Sequence, residues 1–449
     1  MRILIVSKFF PPENSIASLR PYSWAKYWSR AGHDVTVLTT VKPGTKTEDL
    51  KIYDVDKYKL VELNYNSIFY KLQNIYLNKL KVKNESSNGI LNSNQIEKST
   101  KEQSSFSLKN SLKILNNFRL NRGLLSGQRM PDIMDFWINP ALQWAKTNGP
   151  WDLVVSTYAP YACHVIAYNL KKEQIAKQWI ADFRDLWTDH HNFKGLFPFT
   201  YVERNLERLL MKQTDAITTV SKPLVSTLGK KYGEQKVHVI ENGFDSEDLH
   251  FLPKDKIFQD NKVRIIHTGT VYPGKMDPSL LFEVISSIAS DNELKKLLEN
   301  LEVLFVGANS DKVVAQAVKM NVDRWVKNGG FLPREDILRM QREAHILLFL
   351  GFEKSKTAGL LSGKLYEYLF SETPIWAIDV DYLSSPGQII LESNTGVIFG
   401  ENKKMLQNYL VKLLQSSGKQ KAYPNKEVLS NFERSNLAKR MLELVKEKT

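Results

Sequence analysis

At 449 residues the chain is longer than one hydrophobic core ordinarily serves, so two domains are expected. A content of 42% hydrophobic and 25% charged residues excludes a disordered polymer, and no apolar run reaches the ~20 residues of a membrane-spanning helix. The net charge of +13 predicts an acidic partner, while a single cysteine, Cys163, excludes an intrachain disulfide and fits a reducing, cytosolic setting.

The apolar run at 3–6 is too short for a signal-peptide core and opens a buried strand over 2–10. Leu19, Tyr22, Ala25 and Trp28 lie near helical spacing, which predicts a helix over 16–31 stopped by Gly32; a second strand follows at 34–40. Residues 66–130 then hold eleven Lys and Arg against three Glu, so the excess charge is local and marks a docking surface. Within this insertion, 67–80 and 107–120 read as amphipathic helices. The first carries Lys71 and Lys79; the second carries Lys109, Lys113 and Arg119. Such faces suit an anionic membrane, or equally a pair of helices covering the sheet with their charges in water. The Asn/Ser/Gln/Lys-rich stretch 84–106 is expected to be a mobile loop.

Further strands are expected at 152–157, 178–185, 216–221 and 236–243, and a linker near 246–260, where periodicity is lost. The second half repeats the alternation, with strands at 263–271, 301–307, 345–351, 373–380 and 395–400 and a last helix at 436–448. Strand and helix in alternation predict the α/β class, with parallel sheets covered on both faces. The expected division is a first domain over 1–245, a second over 261–430, and a final segment, 431–449, that could pack back on the first domain.

The turn after the first strand, KFFPPENS (8–15), lacks G-x-G-x-x-G, which argues against a nicotinamide-dinucleotide enzyme. No His/Cys/Asp cluster has zinc spacing, and His190–His191 reads as a solvated loop pair. Gly269 to Lys275 fits G-x-x-x-x-G-K, yet Met276 stands where a phosphate-binding P-loop needs Ser or Thr for magnesium. The turn can still bring backbone amides and Lys275 to a phosphate without metal. In AGLLSGKLYEYLFSETPIWAI (358–378), Gly363 and Lys364 open a helix, whose free N–H groups and positive dipole end favour an anion. Glu367, one turn on, suits a ribose diol, although an exposed Lys–Glu pair on a surface helix explains it equally well. ADFRDLWTD (181–189) crowds Asp182, Arg184 and Asp185 at a strand end, where parallel sheets place ligands, though at least one of these carboxylates is expected only to orient a loop.

These segments, in this order, resemble family 4 of the GT-B glycosyltransferases. ILIVSKFFPPENSIASLRPYSWAKYWSRAGHDVTVLT looks like the family's opening strand, Pro-Pro loop and second strand. ITTVSKPLVSTL followed by KVHVIENGFD is similar to the end of its first domain, with Asn242-Gly243-x-Asp245. IIHTGTVYPGKMDP and SGKLYEYLFSETPI resemble its phosphate loop and nucleotide helix. The resemblance implies two Rossmann-like domains facing each other across a cleft, and retaining transfer from a nucleotide-diphosphate sugar, UDP first among nucleotides, with no cofactor and no catalytic metal. Carried over by position, Gly269, Thr270, Lys275, Gly363, Lys364, Leu365 and Glu367 belong to the donor site, with both lysines on the diphosphate and Glu367 on the ribose. Asp185 and Asp182 fall where relatives keep a polar residue near the acceptor, with Asp185 the better candidate. His164, in APYACHVIA, is a third catalytic candidate and equally a packed helical histidine. Pro12, Arg20, Arg184 and Asn242 fall on the acceptor side. Two positions depart from the pattern: Thr270 replaces the family's Arg, and Gly359 replaces the first Glu of its E-x7-E pair.

The implied acceptor is a glycan, lipid-linked or at a membrane surface, in bacterial polysaccharide synthesis, with the enzyme cytoplasmic and peripheral on the inner face of the membrane. A nucleotide-sugar epimerase or a hydrolase on the same fold is the first alternative. A non-enzymatic basic binding protein is the second; no aromatic-interleaved basic motif supports nucleic-acid binding.

Overall fold

The computed structural model describes residues 1–13, 15–41, 54, 56–64, 114–190, 193–250, 252–253, 255–352, 363–416 and 422–446. The predicted helix at 67–80, the loop 84–106, Lys109, Lys113, His191, Gly359 and Ser362 lie outside them.

Two parallel sheets organise these residues. The first runs β3-β2-β1-β4-β5-β6-β7, built from β1 (Arg2–Val6), β2 (Asp34–Thr40), β3 (Lys59–Leu63), β4 (Trp151–Tyr158), β5 (Ala176–Phe183), β6 (Ala216–Thr219) and β7 (Val237–Val239). The second runs β10-β9-β8-β11-β12-β13, from β8 (Val263–Thr268), β9 (Leu301–Val306), β10 (Val326–Asn328), β11 (Ile346–Leu350), β12 (Ile375–Ile378) and β13 (Gly396–Gly400). The central strands are buried on both faces, as Ile3–Val6 and Leu347–Leu348 illustrate, which is why they read as continuous apolar runs. In both sheets the strand order reverses beside the first strand, between β1 and β4 and between β8 and β11. Such switch points open a crevice at the carboxyl ends of the strands.

Helix boundaries follow local chemistry. The Ile16–Arg30 helix is capped by Ser15, whose side chain accepts from the Ser18 amide, and beyond its end Gly32 adopts φ +84°. The final helix, Arg434–Lys446, packs on the first domain. Leu437, Met441 and Leu442 join a core with Ile3, Ile5 and Trp28, and the Trp28 indole donates to the Ala438 carbonyl at 2.8 Å.

The chain crosses between the domains at Asn242–Asp245. A Cβ on Gly243 would stand 2.3 Å from the Phe432 carbonyl oxygen, so only glycine fits this crossing. Asp245 accepts from the buried Lys26 ammonium at 2.7 Å and from the Tyr27 hydroxyl at 2.8 Å. The Asn-Gly-x-Asp motif thus owes two of its residues to the domain junction. Among the described residues, no helix is long and apolar enough to cross a membrane.

Candidate active site

A cleft of about 1000 Å³ opens at the switch point of the second sheet and reaches the loop after β5, within the range of drug-sized ligand sites. Asp185 and His190 line it from the first domain; Lys275, Lys364 and Asp379 line it from the second.

The second-domain wall is built around the turn that follows β8. Gly269 has φ +94°, and a Cβ there would sit 3.3 Å from Lys364 Cε, so the turn needs glycine both for conformation and for space. Lys364, at the start of the Gly363–Phe370 helix, donates to the Thr270 carbonyl at 3.3 Å and lies 3.0 Å from His267 Nε2. Burial pulls its ammonium down to about 8, while Glu367 acts in the opposite direction. Lys275 places its ammonium 5.4 Å from the Phe352 ring centre, an attractive cation–π geometry.

Glu367 is not among the residues that line the cleft. It pairs with Arg334 and accepts from Gln341 Nε2 at 3.2 Å, leaving its side chain 13% exposed. Arg334 also donates to Asp248 at 3.2 Å, in the short Glu247–His250 helix after the crossing. Gln341 in turn donates to the Thr268 hydroxyl at 2.9 Å. Of the remaining donor candidates, Gly363 begins its helix half-buried, whereas the Leu365 side chain is fully buried in the second domain's core. Leu365 supports the helix through packing and presents no side chain to a ligand.

On the acceptor side the structure separates the candidates sharply. Only Asp185 lines the cleft. Asp182 is wholly buried and accepts from Arg20 at 2.7 and 3.1 Å, from Thr157 at 2.8 Å and from Thr218 at 2.8 Å. Arg20 also donates to the Ile240 and Glu241 carbonyls. This buried pair ties the end of β5 to the crossing segment, so both residues are anchors and neither faces an acceptor. His164 is likewise enclosed, among Tyr158, Trp179 and Phe183, with Nδ1 2.8 Å from the Ser156 hydroxyl. Burial pulls its pKa down to about 3, which makes it a neutral core histidine. Arg184 donates to the Tyr158 and Ala159 carbonyls and lies over the Phe9 ring; Pro12 and Asn242 are half-buried.

Sequence reasoning missed His190, which is buried against Phe193 and lines the cleft instead of being solvated. It also missed Arg334 and Gln341, for which no motif offered a signal, and His267, which lies within IIHTGTVYPGKMDP but was not singled out. The segment bearing Asp185 and His190 is held by a second buried pair. Arg129 donates to Glu203 at 2.8 Å and to the Phe193 carbonyl at 2.7 Å, and the Trp187 indole also donates to Glu203.

Residues 115–248 match the family model described as Glycosyltransferase Family 4. Among solved structures, the lipopolysaccharide outer core galactosyltransferase WaaB in its apo form aligns with a TM-score of 0.55 at 10% identity, covering 100% of both chains. A S. aureus TarM mutant in complex with fondaparinux, α-GlcNAc-glycerol and UDP aligns at 0.53 with 12% identity and 99% coverage of each chain. A Listeria monocytogenes protein proposed to be a UDP-N-acetylglucosamine 2-epimerase aligns at 0.50 with 13% identity, covering 100% of this chain and 98% of its own. No curated protein matches the sequence closely enough to count as a relative.

Proposed function

From the Glycosyltransferase Family 4 match over residues 115–248 and the alignment of the whole chain with solved glycosyltransferases, we propose that this protein is a GT-B glycosyltransferase that performs retaining transfer from a nucleoside-diphosphate sugar, UDP first among nucleotides, to a lipid-linked or membrane-surface glycan in bacterial polysaccharide synthesis. The observation that carries this reading is that Lys275 and Lys364 line one cleft at the switch point of the second sheet, where two ammonium groups can serve a diphosphate. Cations aimed at the leaving diphosphate stabilise the charge that develops there, so the chemistry needs no catalytic metal. In a retaining front-face reaction the leaving phosphate oxygen can take the acceptor proton, and Asp185 is the group left to orient that hydroxyl. The UDP held by TarM supports the choice of nucleotide.

A thermal-shift panel of UDP, GDP, CDP and dTDP tests the donor, since a ligand at 100 times its Kd adds about 2.7 kcal/mol of stability. Labelled donor then tests the reaction: product should require added acceptor and survive chelation of divalent ions. Conversion of the donor without acceptor would make the protein an epimerase or hydrolase, and reversible loss on chelation would overturn the metal-free mechanism.

Glu367 is the proposed ribose ligand, sharing its carboxylate with Arg334 and Gln341. Glu367→Ala should weaken the nucleotide by about 5- to 100-fold, from the 1–3 kcal/mol of hydrogen bonding left unmade. Unchanged calorimetric affinity in the folded variant would remove Glu367 from the site.

The proposed membrane contact is a set of exposed apolar residues on two neighbouring segments of the first domain. Ile114 and Leu115 are 69% and 63% exposed on the helix over 114–122, and Phe197 and Tyr201 are 81% and 68% exposed near the start of the Phe199–Lys212 helix. The two helices are joined where Gly195 N donates to the Arg122 carbonyl and the Arg122 guanidinium donates back to Gly195. Exposed apolar groups beside Arg119, Arg122, Arg204 and Arg208 suit anionic lipid, to which each cation contributes up to about 1 kcal/mol. The protein should float with anionic but not neutral vesicles and lose binding in high salt. Changing Ile114, Leu115 and Phe197 to Ser should reduce flotation while leaving nucleotide affinity intact. A wild type that ignores anionic vesicles would argue for a soluble acceptor.

A further inference from the structure

Lysine is a poor choice for a fixed phosphate contact, because its four-carbon stem has many rotamers and holding one of them costs entropy. The Lys364 stem is nevertheless held. It passes over Gly269, where a Cβ would crowd it at 3.3 Å, and its ammonium donates to the Thr270 carbonyl. The second restraint comes from His267, in β8 and wholly buried. His267 Nδ1 stands 2.9 Å from the Leu348 carbonyl of β11. A carbonyl can only accept, so the ring proton sits on Nδ1 and Nε2 presents a lone pair. That lone pair faces Lys364 Nζ at 3.0 Å, and an ammonium has only donors to offer. Burial and the neighbouring Lys364 charge hold the ring well below the ordinary histidine pKa, in agreement with the neutral tautomer that the hydrogen bonds require.

The pairing therefore has one polarity: strand β11 fixes the tautomer of a β8 histidine, and the histidine fixes the ammonium beneath the Gly269–Thr270 turn. We propose that His267 is a positioning residue of the diphosphate subsite, its neutral Nε2 accepting from Lys364 so that this lysine meets the phosphate from a preset geometry. The proposal rests on the reading of Lys364 as a diphosphate ligand. With two acceptors on Lys364, one donor direction remains for a phosphate oxygen, and the ligand need not order the side chain on arrival. His267 itself touches no substrate. Its removal should therefore act only on the part of the ligand that Lys364 meets.

Two replacements separate the nitrogens. His267→Asn keeps a side-chain donor within reach of Leu348 but is too short to accept from Lys364; His267→Gln places an acceptor near the Nε2 position. Calorimetry with UDP and with uridine, on the full chain, reads the difference. His267→Asn should lose about tenfold in UDP affinity, the equivalent of about 1.4 kcal/mol, and leave uridine unchanged. His267→Gln should recover most of that loss. In a Lys364→Ala background, His267→Asn should have no further effect on UDP. Should His267→Asn not fold, His267→Phe, which fills the ring volume with neither nitrogen, takes its place. If Lys364→Ala weakens UDP while the His267 variants bind it like wild type, the positioning role is overturned and the donor-site reading stands. If Lys364→Ala leaves UDP binding unchanged, the donor-site reading falls and this role falls with it. Equal losses for UDP and uridine would make His267 a general packing residue.

Discussion

Asp182→Ala is expected to destabilise the first domain by about 3–5 kcal/mol, the cost of leaving a buried charge without its partner. Arg20, Thr157 and Thr218 would all lose their acceptor in a region closed to water. For a unit of this size the loss corresponds to a drop of roughly 6–20 °C in thermal midpoint. A folded alanine variant with an unchanged midpoint and lost turnover would return Asp182 to the list of catalytic candidates. The pH dependence follows from the same contacts. Burial raises the Asp182 pKa, but the Arg20 charge and the hydrogen bonds from Arg20, Thr218 and Thr157 outweigh it and hold the carboxyl below its ordinary 3.8. A depressed folded-state pKa contributes stability that is complete above the unfolded value of about 3.9 and is lost as pH falls through the folded value. The acid limb of the stability curve below about pH 4 should therefore be shallower in Asp182→Asn than in wild type.

Lys364→Ala should weaken a nucleoside diphosphate by about 10- to 150-fold, from the 1.5–3 kcal/mol of a hydrogen bond to a charged group. The nucleoside alone should bind almost as before, and Lys275→Ala should show the same contrast. Equal losses for the two ligands would place these lysines away from the phosphates. Lys364 also sets a pH signature. The groups around it are Glu367 on its own helix, His267 from β8, and Lys275, Asp379 and Asp185 in the cleft lining. With a free-state value of about 8, the ammonium begins to lose its proton in the alkaline range, and a bound diphosphate favours the charged form. Binding above about pH 8 must then take up a proton, and UDP affinity should fall by up to tenfold per pH unit until the bound-state pKa is reached. Calorimetry in two buffers of different ionisation enthalpy would show that uptake, and Lys364→Ala should abolish it.

Much of the architecture was legible because buried parallel strands declare themselves as apolar runs. Ile3–Val6 and Ile346–Leu350 needed no other signal. The edge strands β3 and β10 were not found. KLVEL is largely exposed and VKN buries only its valine, since an edge strand pairs on one side and leaves polar residues in water. The two cleft lysines were legible as anion-site candidates for a local reason: a glycine turn after a strand and the first residues of a helix are anion sites by their own backbone chemistry.

The acceptor side had no such local signal. Asp182 and Asp185 are three residues apart in the same strand end, and nothing in ADFRDLWTD distinguishes a saturated anchor from a cleft carboxylate. The distinction is made by Arg20, 162 positions earlier, whose guanidinium reaches one carboxylate in the buried interior. His164 and His190 exchanged roles for the same reason, one enclosed by aromatic rings contributed from β4 and β5, the other brought to the cleft wall by a loop held through Arg129 and Glu203. His267 lies 97 positions from Lys364 and reads in sequence as one more residue of a buried strand. By itself the sequence determined where the buried strands, the turns and many helix ends occur, because those depend on neighbours along the chain. Which titratable side chain is paired, buried neutral or left facing the cleft was decided only by tertiary contact, because desolvation and charge pairing act between residues that the fold alone brings together.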